Sequence, residues 1–294
     1  MRNIPLVTKS LLIINVVAFL ISMFSGHVAL LGGRDLNDIF GLHFFLAPDF
    51  HFYQLFTYMF MHGGWAHLFF NMFALWMFGC VVENVWGPKK FFFYYIFCGI
   101  GAGLCQELAQ YVQYLYEHLD SYQYVQTVAG RISMSDYLNL WTTVGASGSI
   151  YAVLLAFGML FPEQRIFIIP IPFPIKAKWF VMIYVGLELF MALTSSGDGV
   201  AHIAHLGGML FGFLLIKYWK KHPSRNTVHF SDFRIFHTNT TATQPPHHES
   251  DWEYNQRKQS EQAEIDRILD KIRKSGYDSL SKSEKQKLFD SSKK

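Results

Sequence analysis

The chain has 294 residues, 51% of them hydrophobic and 17% aromatic, and only 16% charged, against about 25% charged in a soluble domain. A net charge of +3 is too small to suggest a nucleic-acid partner. Five stretches without any Asp, Glu, Lys or Arg (10–33, 50–82, 91–106, 137–162 and 199–216) exclude an ordinary soluble domain. A membrane-spanning helix needs roughly 20 mostly apolar residues, and taken in chain order the sequence offers six. The first, about 9–25, follows Arg2 and Lys9 as a secretory signal would. Its apolar run is long for a signal and no small-x-small cleavage site follows, so we read it as a retained helix. The next spans fall at about 62–83, 90–110 and 144–161. A span at 178–194 qualifies only if Glu188 is tolerated, and 200–219 completes the set. The expected class is an all-α polytopic membrane protein. Cys80, Cys98 and Cys105 lie within or at the ends of spans, with neither metal spacing nor a disulfide framework, and read as small packing residues.

Lys and Arg gather in loops on the cytoplasmic side. Arg2 and Lys9, Lys89 and Lys90, Arg165, Lys176 and Lys178, and Lys217, Lys220 and Lys221 mark one side, while 26–61, 111–143 and 195–199 are poorer in base. Both termini are therefore expected in the cytoplasm, with the protein in the plasma (inner) membrane. Spans two, four and six then run from outside to inside, so residues near their starts share one depth at a rise of about 1.5 Å per residue.

That depth holds the polar residues. Gly145-Ala146-Ser147-Gly148 opens span four, Ala204-His205-Leu206-Gly207-Gly208 lies early in span six, and His62, His67 and Asn71 enter span two. Ionisable groups within a membrane are candidates for function. A serine needs a base to take its proton, and a neutral imidazole suffices near pH 7. Read blandly, Gly-Ala-Ser-Gly is a small-residue packing patch. Ser149 is a rival hydroxyl, but it points about 200° round the helix from Ser147. His205 shares a helix face with Gly208 and Gly212; His202, one turn further out on that face, is a rival base or a helper. His67 and Asn71, spaced i, i+4, project together and offer N–H donors for an oxyanion, or else simply bond helices together.

These segments resemble the rhomboid intramembrane serine proteases. The shared pattern is His67-Leu-Phe-Phe-Asn71, then Gly145-Ala-Ser147-Gly148 with Tyr151, then Ala204-His205-Leu-Gly-Gly208-Met-Leu-Phe-Gly212, over about residues 9–219. The resemblance implies a six-transmembrane-helix rhomboid-like bundle and a Ser147–His205 dyad without a carboxylate. It implies an oxyanion hole of His67, Asn71 and the Ser147 backbone N–H, and a Tyr151 ring packed on His205. Gly145 gives close approach to Ser147, and His62 and Glu83 match positions held to be structural, at the outer and inner ends of span two. Where many relatives carry Trp-Arg in the first outer loop, this chain has Tyr53-Gln54, so the anchoring of that loop to the membrane differs. The expected activity is endoproteolysis of single-span membrane proteins near the outer face, with the bilayer as the medium and no metal or cofactor. A rhomboid-like non-catalytic binder or chaperone is the alternative, although such proteins typically lack the Ser or His kept here. A small transporter would need an inverted repeat or broken helices, which the sequence does not display.

Domain organisation follows composition: 1–221 as the six-helix membrane-embedded protease domain, 222–260 as a polar linker, and 261–294 as a small cytoplasmic helical hairpin. In the last, Ile265, Ile268, Leu269 and Ile272 keep helical spacing, and Ser281-Lys-Ser-Glu284 has the form of a capping box. The tail reads either as a docking or regulatory element for an unknown partner or as a solvated appendage. Segment 111–143, rich in tyrosine, extends spans three and four as helices or shapes substrate access.

Overall fold

The computed structural model describes residues 4–25, 35–128, 130–167, 174–194 and 201–222, and in the tail 266–268, 270–273, 280–281 and 284–285. The chain falls into two units, Met1–Thr227 and Val228–Lys294. In the first, the helices are α1 (Leu6–Ser25), α2 (Leu36–Phe40), α3 (Gln54–Thr57), α4 (Trp65–Trp86, with a π turn at Leu75–Gly79), α5 (Pro88–Tyr116), α6 (Met134–Asn139), α7 (Ser147–Leu160), α8 (Ala177–Thr194) and α9 (His202–Lys221). Among the described residues four helices, α1, α4, α5 and α8, are long and apolar enough to cross a membrane. α7 is apolar but has only 14 residues, and α9 carries His202, His205 and three lysines.

The chain is mostly helical, as expected, and its connections add three short antiparallel ladders. β1 (Leu42–His43) pairs with β4 (Thr142–Thr143), β2 (Tyr124–Thr127) with β3 (Gly130–Ser133), and β5 (Arg165–Ile166) with β6 (Ile175–Lys176). Backbone N–H and C=O groups outside helices still need partners, and these pairings supply them. The β1–β4 ladder fixes the stretch of chain that leads into Ser147. Segment 111–143 likewise extends span three only: α5 runs to Tyr116, and β2, β3 and α6 follow.

α7 is the central helix. Gly148, Ser149, Ile150, Ala152, Val153 and Ala156 are all buried on it, and the core around it takes Leu75 and Phe78 from α4, Tyr94 and Tyr95 from α5, Phe180 from α8 and Met209 from α9. Small residues let the backbones close in. A Cβ on Gly208 would lie 2.0 Å from the Gly148 carbonyl oxygen, so α7 and α9 meet backbone to backbone. That contact lies one residue after Ser147 and three after His205, which holds the two side chains in one register. Ser149 is fully buried on the far side, where its hydroxyl donates to the Tyr95 carbonyl at 2.8 Å.

Two buried polar residues tie the frame together. Glu83 accepts from the Val7 N–H (2.9 Å), the Thr8 N–H (2.7 Å) and the Thr8 hydroxyl (2.7 Å). It thereby satisfies donors that the start of α1 leaves without intrahelical partners. Gln54, 1% exposed, knits the first outer loop: its amide donates to Ile39 O (3.2 Å) and Asp49 O (3.0 Å) and accepts from His51 N–H (3.0 Å). The loop that lacks Trp-Arg is held by this internal network. Outward, α4 exposes Phe69, Phe70 and Phe73, and α8 exposes Met182, Ile183, Leu187 and Phe190. An apolar belt of this kind on a folded unit suits hydrocarbon rather than water.

In the tail, 266–268 and 270–273 are helical, and Ile268 and Leu280 are buried. The Ser281 N–H donates to the Glu284 carboxylate (2.8 Å), and the Glu284 N–H donates to the Ser281 hydroxyl (3.3 Å), the reciprocal bonds of a capping box. Lys271 pairs with Glu284 at 2.9 Å. Of the expected linker, residues 223–260 lie outside the described residues.

Candidate active site

Ser147 opens α7 and His205 lies one turn into α9. The Ser147 hydroxyl and His205 Nε2 are 2.8 Å apart. Across the ring, His205 Nδ1 is 2.9 Å from Glu188 Oε2 on α8. A carboxylate only accepts, so Nδ1 carries the imidazole proton and Nε2 is the bare nitrogen. The serine hydroxyl therefore donates to Nε2, the arrangement in which an imidazole can remove a serine proton. Tyr151, one turn below Ser147, stacks on the His205 ring with centroids 4.2 Å apart and planes 6° from parallel. Its hydroxyl donates to the other Glu188 oxygen.

His202 Nδ1 also donates to Glu188 Oε2, at 2.7 Å. His202 therefore reaches the carboxylate, while His205 is the one bonded to the serine. Glu188, His202 and His205 are all buried, and their donor atoms lie within 4.8 Å of one another. Such a set can hold a metal ion, yet the carboxylate stands at N–H···O distances from both rings, and ligands sharing a zinc at about 2.0–2.1 Å each would stand further apart than this.

On the opposite wall, His67 and Asn71 come from α4. The Gly63 N–H points to His67 Nδ1 at 3.4 Å, leaving Nε2 as the His67 donor. That nitrogen lies against Gly145, where a Cβ would be 2.8 Å from it and 3.6 Å from Ser147 Oγ. Gly145 also has φ of +130°, a region that side chains other than hydrogen rarely enter. Any other residue here would be strained and would push His67 off the serine. Asn71 is 6% exposed, and its Nδ2 has no hydrogen-bond partner among the described residues. A buried N–H without a partner is rare enough to need a reason.

His67, Asn71, Gly145, Ser147, Tyr151, His202 and His205 all line one cleft of about 1720 Å³. The remaining sequence-derived residue, His62, is 1% exposed and sits behind His67, ring centroids 5.1 Å apart, away from the cleft. Sequence reasoning missed Glu188. The resemblance implied a dyad without a carboxylate; in the fold α8 buries Ala177, Phe180, Val181 and Glu188, and that inward stripe brings a carboxylate to Nδ1. The available signal was an ionisable residue inside an apolar span.

Comparison with known proteins adds a family to this geometry. The Rhomboid domain model matches residues 49–221, more than half of the chain, and a family of unknown function (DUF6576) matches 249–294. The human "Presenilin-associated rhomboid-like protein, mitochondrial" is 28% identical over 165 residues, covering 54% of this chain and 36% of that protein. "Rhomboid protease AarA" of Providencia stuartii is 28% identical over 168 residues, covering 53% of this chain and 52% of that protein. "Rhomboid-like protein 11, chloroplastic" of Arabidopsis thaliana is 29% identical over 197 residues, covering 65% and 59%. The matches thus take in between 36% and 59% of these relatives' own length.

Proposed function

The chain belongs to the rhomboid family of integral membrane proteins, and on that premise we propose that it is an intramembrane serine endopeptidase cleaving single-span membrane proteins near the outer face. The observation that carries this reading is the 2.8 Å bond between Ser147 Oγ and a His205 Nε2 whose partner nitrogen is already engaged. In the proposed reaction His205 Nε2 takes the hydroxyl proton as Ser147 Oγ forms its bond to the scissile carbonyl carbon. The carbonyl oxygen becomes an oxyanion held by His67 Nε2–H, Asn71 Nδ2–H and the Ser147 backbone N–H. Asn71's unpartnered donor supports this role. His205 then protonates the leaving nitrogen, the C–N bond breaks, and a water activated by the same imidazole resolves the acyl-enzyme. Tyr151 holds the plane of the ring, Gly145 leaves room for His67, and His62 supports His67 from behind.

The membrane placement is part of the same reading. We take α1, α4, α5, α7, α8 and α9 as six spans within 1–221, both termini cytoplasmic, with the tail 261–294 beyond a linker at 222–260. At about 1.5 Å per residue α7 covers roughly 21 Å of a bilayer core of about 30 Å, so Ser147 at its start lies sunk below the outer surface, within reach of water. A peptide bond in an intact helix is shielded by its own hydrogen bonds, so preferred substrates carry small or helix-breaking residues near that depth. The mitochondrial and chloroplastic names among the relatives belong to those proteins; the charge asymmetry of this chain supports an outward-facing cleft, and the plasma membrane is our reading of its location.

The test is cleavage of a single-span reporter by protein purified in detergent, beside Ser147→Ala. Cleavage by the wild type and none by the variant is the expected result. A folded wild type that cuts no reporter and takes up no fluorophosphonate would return the non-catalytic binder.

A further inference from the structure

We infer that Glu188 is the orienting carboxylate of the catalytic histidine, so that the site operates as a Ser147–His205–Glu188 triad with His202 and Tyr151 holding the carboxylate in place. This rests on the protease reading above. A carboxylate within an apolar span is expensive unless donors surround it. Here Oε2 accepts from His205 Nδ1 at 2.9 Å and His202 Nδ1 at 2.7 Å, and Oε1 accepts from the Tyr151 hydroxyl. All three donors come from the two helices that carry the nucleophile and the base, although Glu188 itself lies on a third helix.

The consequences are chemical. Glu188 fixes the Nδ1–H tautomer, so Nε2 stays free to accept the serine proton. When that proton arrives, the ring becomes an imidazolium facing a buried carboxylate, and the charge pair lowers the energy of the step. The proton moves from Ser147 Oγ to Nε2 and later to the leaving amine; none passes to Glu188. His202 shares Oε2 from one turn nearer the outer end of α9 and so pins the carboxylate against rotation, while Tyr151 pins its second oxygen and stacks on the ring. A glutamate that merely satisfied two buried histidines would influence folding but not the serine's reactivity, and this separates the two roles.

The experiment compares full-length wild type, Glu188→Gln and Glu188→Asp in detergent for kcat and KM on the reporter, for the second-order rate of fluorophosphonate labelling, and for thermal unfolding. Glutamine keeps the shape and one acceptor but removes the charge. The expected result is a fall of about 10²-fold or more in both kcat and labelling rate, with KM within about twofold, because only the transition state is affected. Aspartate restores at least part of both rates. Glu188→Gln within about threefold of wild-type kcat and labelling overturns the inference. Nitrogen-15 NMR of histidine-labelled wild type supplies a readout that needs no variant to fold. A His205 proton on Nδ1, shifted far downfield by a carboxylate acceptor, is expected, and a proton on Nε2 with Nδ1 bare overturns the inference. Loss of labelling in the wild type itself would instead sink the protease reading, so the two failures are distinguishable.

Discussion

Two histidines compete for the part of base, and hydrogen bonding separates them. His205 meets Ser147 at 2.8 Å, whereas His202 meets Glu188 at 2.7 Å. His205→Ala is expected to abolish fluorophosphonate labelling, and His202→Ala to leave it detectable but slower; equal loss in both would remove the distinction. Asn71 offers a second check. Removing one oxyanion donor costs about 10²–10³ in kcat, so Asn71→Ala should lose that much with little change in KM, measured on the reporter. The residues that spacing and the resemblance singled out gather at the cleft, His62 excepted, because each motif fixes its members on a single helix: His67 with Asn71, Ser147 with Tyr151, and His205 with its glycines. Glu188 escaped because its partners lie 14 and 17 residues further along the chain and on a different helix. No periodicity within α8 says which neighbour it will face.

At the scale of elements, the α7–α9 contact sets the register of Ser147 and His205. A Cβ at Gly208 would sit 2.0 Å from a carbonyl oxygen, while one at Gly186 on α8 meets nothing within 4 Å. Gly208→Ala should therefore destabilise by about 1–3 kcal/mol, the usual range for forced overpacking, and slow labelling as the helices part. Gly186→Ala should do neither, and thermal unfolding in detergent reads the difference. Charge-poor apolar runs foretold where these helices lie: the expected 178–194 is Ala177–Thr194, and 144–161 is the shorter Ser147–Leu160. It foretold nothing of the β1–β4 pairing. Two-residue ladders such as Leu42↔Thr143 are fixed by where the helices place their loops and leave no pattern in the sequence. The extension of α5 to Tyr116 was one of the readings open for segment 111–143, and Glu107 and Gln110, polar by type, are buried on that helix.

At the scale of the whole molecule, the proposed orientation rests on charge asymmetry and is open to a direct check. Leu140 and Glu163 are both exposed and lie in the connections that flank α7 on either side. A membrane-impermeant thiol reagent on intact cells should label Leu140→Cys and reach Glu163→Cys only after permeabilisation; the reverse pattern would invert the topology. The tail carries its own signature. The Ser281 backbone N–H, followed by Lys271, holds the Glu284 carboxyl down from 4.5 to about 2. Its folded pKa lies below the unfolded one, so its contribution is present above about pH 4.5 and is lost as pH falls through about 2. Carbon-13 NMR of labelled glutamate in the full chain should show that low midpoint, and a midpoint near 4.5 would mean that the capping bonds do not form.

The most direct test of the proposed nucleophile is peptide mass spectrometry after fluorophosphonate treatment of the wild-type protein in detergent. One adduct, on the peptide containing Ser147 and localised to that hydroxyl, is expected, with none in His205→Ala. An adduct on Ser149 or elsewhere, or one that forms equally without His205, would contradict the account.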